Sequence, residues 1–501
     1  MNHISDLTDD DRQSRLANRR AMEAMGLELF PAKAFKPSHK VRDLSILYME
    51  HADLPENERP ILRIAGRLTA HRHVGSIWFA DLMQEHATVQ LRVKVDAVPP
   101  ELWGILRHLD VNDIIGVDGF LIQTTRGQLT VDVRALYVLC KAATSAGLGK
   151  LSADGTRHGA RADRGALLRK NRHVELLTNP SLTENLRAHA TVLSVFRRIM
   201  EQEGFLELQT SILGPYYGGA AATPFTTQAR GSKGQELYLR VSPEPDLKRA
   251  LAGGLEKVYE IGRNFRNEGI DHTHQPSFTA FECYAAWQDY EDMMRLTEQL
   301  IVSSVEAVCG HARARINGKV IDFEGPWPRL RMLDLVAREL GLTAKDVTFE
   351  ALNGAWLERN PGADASERPT SWGELLTAIF EDEVEDKLIG PCFVIDHPVE
   401  TSPLTKVHRD DPRLTERFEA YVGGMEIANA YSELNDPLEQ RRRLEMQDLV
   451  RDDPYGVDEF FLSAIDDGMP QAGGLGIGID RIVMVITGAK RISDVVPFPL
   501  S

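Results

Sequence analysis

The chain is poor in cysteine. Cys140, Cys283, Cys309 and Cys392 are the only four in 501 residues, and they stand far apart. That spacing fits neither a disulfide framework nor a zinc site, so four buried structural thiols in a reducing compartment are expected. Long apolar runs are missing too: no stretch approaches the roughly 20 residues that span a bilayer. The opening MNHISDLTDDDRQ is acidic and lacks the apolar centre of a secretory signal. A cytoplasmic protein with no membrane partner is the expectation. Internal repeats are absent, and so is a G-x-x-x-x-G-K-[ST] phosphate loop, so any ATP site must be built another way.

Cations are also in deficit. The net charge of −16 argues against a non-specific nucleic-acid binder, but the deficit is uneven. Residues 1–180 carry 25 Lys+Arg against 22 Asp+Glu, and residues 181–501 carry 33 against 52. Such a break suggests two domains with different partners, the N-terminal one better suited to a polyanion. The length allows two or three domains with large cores.

Residues 9–26 read as an amphipathic helix, with Leu16, Met22 and Met25 apolar and Arg12, Arg15, Arg19 and Arg20 basic. Its basic face is either merely solvated or in contact with phosphates. Five short β-runs between Ile61 and Leu139 predict a small barrel, with an OB-fold as the leading candidate. Such barrels bind single-stranded nucleic acid on one face. Trp78 and Phe79 on the second run are candidates for base stacking, and at least one of them must be core. Between 141 and 172 stand eight basic and two acidic residues without periodicity, which reads as a linker. A second domain is expected from about Leu176. Ser181 and Glu184 suggest a capping box, with an apolar face at Leu186, Leu193, Phe196 and Met200 and a stop at Gly204. Strands then alternate with helices to the C-terminus, an α+β pattern on an antiparallel sheet.

Three segments carry the chemistry. The first is a hairpin, with one strand running into Gly262-Arg263-Asn264-Phe265-Arg266-Asn267-Glu268-Gly269 and a second from Phe278 to Tyr284. Alternation puts Phe278, Glu282 and Tyr284 on one face, with Arg266 and Glu268 leading into the turn. Arg266 is placed to neutralise a phosphate under attack, and His274 to reach outer phosphates. The bland alternative is an Arg266–Glu268 salt bridge. In the second segment, Arg417 to Glu433, Gly423-Gly424 is a two-residue hairpin turn. Folding there pairs Tyr421 with Glu426 and sets Glu419 diagonally across on the same face. Two carboxylates so placed suit Mg²⁺. Asn429, Tyr431 and Glu433 have the opposite parity, so either a bulge intervenes or they serve another pocket. The third segment, Gly473 to Arg481, is glycine-rich and precedes an apolar helix. Its glycines let a flat ring approach the backbone, and Arg481 can stack on or pair with a nucleotide.

Together these segments resemble the class II aminoacyl-tRNA synthetases, most closely the lysine-specific family. GRNFRNEG resembles the family's second motif and GLGIGIDR its third. IANAYSELND, the stretch Pro398 to Leu404, and GGAAATPF at Gly218 to Phe225 look lysine-type. The resemblance implies an N-terminal helical extension over 1–60, an OB-fold anticodon-binding barrel over 61–140, a basic linker over 141–175, and a class II catalytic domain over 176–501. It implies catalytic roles for Arg266 and Arg481 and ATP contacts for Arg266, Glu268, His274, Phe278 and Arg481. It implies Mg²⁺ on Glu419 and Glu426, and a lysine pocket of Glu244, Tyr284, Asn429, Tyr431 and Glu433. Carboxylates suit a bound ammonium, because an unpaired buried charge is costly. In the barrel, Arg72, Phe79, Gln90 and Gln128 match anticodon-reading positions. A homodimer that charges tRNA(Lys) is implied.

The chain departs from the family's usual text in places. It has Glu207-Leu208-Gln209-Thr210-Ser211 for EVETP, and Thr273 to Thr279 for RHNPEFT, which removes an arginine and an acid. Pro243 to Arg249 stands for PELYLKR, Thr223 for an arginine, and Gln128 for a glutamate. Such changes read as a diverged paralogue. Two other functions compete: a ligase that lysylates another acceptor, such as a protein lysine, and a non-catalytic tRNA-binding regulator.

Overall fold

The computed structural model of the chain describes residues 9–55, 58–146, 148, 171–220, 222–231, 234–364, 368–451 and 457–500. Most of the expected linker over 141–175 lies outside them. The protein forms two compact units, Met1–Pro180 and Ser181–Ser501, so the division falls slightly later than expected from the sequence.

In the first unit, β1 (Leu62–Val74), β2 (Ile77–Gln84), β3 (Ala87–Lys94), β4 (Ile114–Gln123) and β5 (Leu129–Cys140) close into a barrel in the order β1-β2-β3-β5-β4. Alternation does the sorting: Val89, Leu91 and Val93 of β3 point into the core, and Gln90 and Arg92 point outward. Trp78 is fully buried and Phe79 only half-buried, which makes Trp78 the core member of the pair. The first helix spans Asp9–Ala24, and its face differs from the one expected. Arg15 is buried, with its guanidinium donating to the Val111 carbonyl at 2.9 Å and to Asp11 at 3.1 Å. Met25 lies beyond the helix end, before a left-handed Gly26, and is exposed.

The second unit opens with the helix Pro180–Gln202. It starts at Pro180, one residue before the expected cap at Ser181, because proline's fixed φ suits the first helical position. Its buried face is Val192, Val195, Phe196, Ile199 and Met200, while Leu186 and Leu193 are only half-buried. Gly204, at φ +79°, ends it as expected. Two small sheets flank the main one: β7 (Leu213–Gly214), β8 (Thr226–Gln228) and β9 (Glu236–Leu239), and the hairpin β12 (Arg313–Ile316) and β13 (Lys319–Asp322).

The main sheet has eight strands: β6 (Leu206–Glu207), β10 (Lys257–Phe265), β11 (Ser277–Ala286), β14 (Arg329–Arg331), β15 (Cys392–Ile395), β16 (Arg417–Tyr421), β17 (Glu426–Ser432) and β18 (Ala472–Gly478). Their order is β14-β15-β16-β17-β18-β11-β10-β6, antiparallel except for the pairs β6–β10 and β14–β15. One face of this sheet is covered by helices. Phe281, Cys283 and Ala285 of β11 enter that core, where Phe281 meets Phe196 edge-on at 5.1 Å. The helix Tyr290–Cys309 joins them, started by an Asp289–Asp292 capping box and ended by Gly310 at φ +80°. The alternate residues Glu282 and Tyr284 therefore face the other way, into a cleft. All four cysteines are free: Cys283 and Cys392 are buried as expected, and Cys140 and Cys309 are only half-buried.

Candidate active site

The cleft floor is three strands wide. Glu282 of β11 pairs across Gly476 of β18 with Asn429 of β17, and Tyr284 pairs across Gly474 with Tyr431. Glycine at 474 is dictated by sterics: a Cβ there would stand 1.9 Å from a Glu433 oxygen and 2.6 Å from the Tyr284 ring. The glycine thus makes room for two side chains of the floor, a different reason from the ring approach expected of it. At Gly476 a Cβ would meet nothing closer than 3.7 Å, so that position is open cleft floor.

The parity question is answered by a bulge. Gly423 and Gly424, both left-handed at φ +68° and +73°, make the expected turn and pair Tyr421 with Glu426. Ala420 then pairs with Ala428, which leaves Ile427 as the extra residue. Before the bulge, Glu419 pairs with Asn429 and Arg417 with Tyr431. One inserted residue therefore brings Glu426, Asn429 and Tyr431 to the same face.

Arg266 follows β10 directly. Its backbone N–H donates to Pro276, and its guanidinium lies 5.1 Å from the Phe278 ring centre. Its Nε is buried without a partner and lines the cleft, as does the orphaned Asn264 carbonyl oxygen. Such groups are left to be satisfied from the cleft side. No Arg266–Glu268 ion pair forms among the described residues, and Glu268 stands exposed at the rim. His274 bridges Asp271, at 2.7 Å from Nδ1, and Arg481, which donates to Nε2 at 2.9 Å. Arg481 also donates to the Glu426 carbonyl at 2.9 Å and its carboxylate at 3.2 Å. Asp480 anchors this end by accepting from the Thr279 N–H at 2.8 Å and contacting His189 at 3.0 Å.

Beside Arg481 lies an acidic wall. Glu419 accepts from Arg417 and from the Tyr421 hydroxyl, both at 2.6 Å. Burial, then Glu426 and Glu419, push Glu385 up to about 7. Burial and Glu419 also raise Glu426, and burial and Glu419 raise Glu381. Carboxylates crowded in this way repel one another, and a cation placed between them would relieve that repulsion.

Three carboxylates gather at the inner end of the cleft: Glu244 and Glu282 line it, and Glu433 is buried next to its floor at Gly474. Glu244, Glu282 and Glu433 are all buried. Glu282 accepts from Ser242 at 2.9 and 3.0 Å, from Asn264 at 3.3 Å and from the Tyr284 hydroxyl at 3.2 Å. Burial, then the Glu244 charge, push it up to about 7. Glu244 accepts from the Tyr431 hydroxyl at 2.7 Å and from Lys248 at 2.5 Å. Lys248 is fully buried and also ion-pairs with Glu433. Although ion-paired, the Glu433 oxygens take no well-directed hydrogen bond, and burial pushes this carboxyl up to about 8. Burial works against the Lys248 charge, but Glu244 and Glu433 outweigh it and raise its pKa.

Lys248 and Arg417 were not singled out from the sequence, and Glu282, placed by strand parity on the face of Phe278 and Tyr284, was not assigned to the pocket. Lys248 sits one helical turn from Glu244, a spacing that commonly means a surface pair. Arg417 donates to Asn429 at 3.1 Å, an effect of the bulge that no local pattern announces.

In the barrel, Arg72 and Phe79 face each other across β1 and β2, with the guanidinium 5.4 Å from the ring centre. Gln90 shares that outer surface and accepts from Thr130 at 3.1 Å, and Gln128 lies at the β4–β5 turn beside it.

An eight-stranded sheet with an arginine ledge, an acidic wall and a glycine floor defines a class of nucleotide-using ligase. Residues 165–501 match the family model of the class II tRNA synthetases (D, K and N). The chain is 39% identical over 500 residues to a lysine–tRNA ligase of Pelotomaculum thermopropionicum, spanning 98% of this chain and 94% of the relative. It is 39% identical to that of Thermotoga maritima (98% and 95% covered) and 41% identical to that of Prochlorococcus marinus (98% and 96% covered). The chain belongs to the class II tRNA synthetases and, within them, to the lysine–tRNA ligase family.

Proposed function

We propose that this chain activates lysine with ATP as lysyl-adenylate and transfers the lysyl group to tRNA(Lys). The observation that carries the reading is the buried carboxylate trio Glu244, Glu282 and Glu433 beneath Arg266, in a chain similar to lysine–tRNA ligases along nearly its whole length. A diammonium substrate is what such a trio requires.

Glu244, Glu282, Tyr284, Asn429, Tyr431 and Glu433 hold lysine, with its carboxylate toward Arg266. Phe278 stacks on the adenine, Glu268 holds its edge, and Arg266, His274 and Arg481 hold the phosphates. A lysine carboxylate oxygen attacks the α-phosphorus, the bond to the β-phosphate oxygen breaks, and pyrophosphate leaves. Arg266 neutralises the charge that builds on the α-phosphate oxygens. In the second step a terminal ribose hydroxyl of the tRNA attacks the lysyl carbonyl, loses its proton, and AMP departs. No side chain becomes a nucleophile, so positioning and preorganised charge supply the rate.

The acidic wall fits Mg²⁺, which uses one or two protein carboxylates and completes its shell with phosphates and water. Glu419 and Glu426 would hold it, and it would supply further charge neutralisation on the phosphates. Arg72, Phe79, Gln90 and Gln128 read the anticodon. The exposed apolar residues Leu206 on the edge strand β6 and Ile212 and Leu213 at the start of β7 support a homodimer. The protein works in the cytoplasm.

Exchange of labelled pyrophosphate into ATP, with each amino acid in turn, tests the first step. Exchange with another amino acid and none with lysine rejects the pocket assignment. Charging of total tRNA tests the second, and activation without transfer to tRNA points to a different acceptor.

A further inference from the structure

Three carboxylates and one internal ammonium gather at the inner end of the cleft, Glu244 and Glu282 lining it and Glu433 and Lys248 fully buried beside it, and their balance is off by two charges. Lys248, fully buried, ion-pairs with Glu244 and Glu433. The rings of Tyr431, Phe461 and Tyr284 surround its ammonium at 5.4, 5.7 and 5.8 Å from their centres. This cage shuts Lys248 off from water and fixes it in place. Glu282 is outside its reach and is held by Ser242, Asn264 and Tyr284.

We propose that Lys248 is a specificity-determining residue: as a fixed internal counter-charge it leaves the three-carboxylate pocket two positive charges short of neutral, the number that the two ammonium groups of lysine supply. This rests on the reading above, that lysine is the substrate. A substrate with one ammonium leaves a buried carboxylate unpaired, and a buried unpaired charge is strongly disfavoured. The groups that face Lys248 are Glu244 on its own helix, Tyr284 on β11, Tyr431 on β17 and Glu433 just beyond it. Glu282 stands one row away, and Arg266 and Arg417 lie toward the cleft mouth. Among the described residues Lys248 is the cation that ion-pairs within the trio, while Arg266 acts on Glu282 from the cleft side.

Lys248→Met keeps the length of the side chain and removes its charge. The empty variant pocket then holds one more proton than the native one, and lysine must expel it on binding. The KM for lysine should therefore fall with rising pH more steeply than in the native enzyme, by up to about tenfold more per pH unit between pH 6.5 and 8.5. The KM for ATP should move less than threefold. Adding Glu244→Gln to Lys248→Met restores the charge balance and should return the pH slope to that of the native enzyme. Lysine-dependent pyrophosphate exchange across that pH range reads all three proteins. A KM raised equally at every pH, with no rescue of the slope in the double variant, means that Lys248 only fills space and overturns the proposal. Should Lys248→Met not fold, the balanced double variant alone decides: a native pH slope supports charge matching and an altered one refutes it. Native enzyme that shows no exchange with lysine at any pH overturns the reading of the substrate instead, so the two failures are distinct.

Discussion

Adding one methyl group at two neighbouring glycines separates packing from binding. In Gly474→Ala the new Cβ would sit 1.9 Å from Glu433 and 2.6 Å from the Tyr284 ring, so the carboxylate, the ring or the strand must move. Overpacking of this kind costs about 1–3 kcal/mol. The displaced groups are the carboxylate and aromatic ends of the pocket, so a similar amount is lost from lysine binding, a KM raised about 5- to 150-fold. In Gly476→Ala the Cβ meets only ordinary contacts, at 3.7 Å and 3.8 Å, and its backbone is not left-handed. Its fold should be unaffected, or steadier by about 0.4–1 kcal/mol through reduced freedom of the unfolded chain. Its methyl nevertheless projects into the cleft, so pyrophosphate exchange should fall although the protein melts normally. Thermal melts and exchange kinetics on both variants give the answer. A Gly474→Ala protein with native melting temperature and native lysine KM would falsify the account of Gly474 as the space that admits Glu433 and Tyr284.

Three further outcomes are expected. Arg266→Ala should cut pyrophosphate exchange by about 10²–10³-fold with an unchanged melt, and undiminished exchange would remove Arg266 from the chemistry. Burial and then Glu244 raise Glu282 from 4.5 to about 7, so between these values the folded protein keeps a proton that the unfolded chain has lost. Its contribution to stability is full in acid and is lost as pH rises through 7. Glu282→Gln should flatten the urea midpoint between pH 5 and 8, and a profile as steep as the native one would assign the slope to other groups. Lysine affinity in the native protein should rise over the same interval. Phe79→Ala should lower tRNA charging about tenfold while leaving pyrophosphate exchange as it was, in keeping with about 1–3 kcal/mol for one stacked base. An equal loss in both assays would show that Phe79 acts on the fold.

The barrel and the sheet were legible because alternation is local: a buried Val89, Leu91 and Val93 between outward Gln90 and Arg92 announces a strand on its own. The turn at Gly423-Gly424 was equally readable, since only glycine is at ease with two successive left-handed positions. Parity beyond that turn was not legible. Ile427 becomes a bulge because of how β17 seats between β16 and β18, and nothing in IANAYSELND marks it. The burial of Arg15 failed for a similar reason, because its bond to Val111, distant in sequence, outweighed the helical pattern, whereas the entry at Pro180 is set locally by proline's fixed φ. Lys248 was hidden most completely. Its partner Glu433 is far along the chain, and only the closed sheet brings the two together. Within Glu207 to Ser211 the threonine shared with EVETP has a local use, since the Thr210 N–H and hydroxyl both donate to Glu260, at 2.9 and 2.8 Å, while nothing in the structure explains the changes at Leu208, Gln209 and Ser211.

The rows of β11, β18 and β17 have a consequence for how the size of a substrate is measured. Glu282, Gly476 and Asn429 form one rung of a ladder, and Tyr284, Gly474 and Tyr431 form the next. Successive rungs on one face lie about 6.6–6.8 Å apart, a spacing fixed by backbone hydrogen bonds. The cleft floor is therefore a ruler whose graduations are peptide units. If lysine lies along these rungs as proposed, ornithine, shorter by one methylene, should place its ammonium short of where lysine's ends, and pyrophosphate exchange with ornithine as strong as with lysine would refute this. The spacing available to a side chain laid along these strands is thus set when the sheet folds.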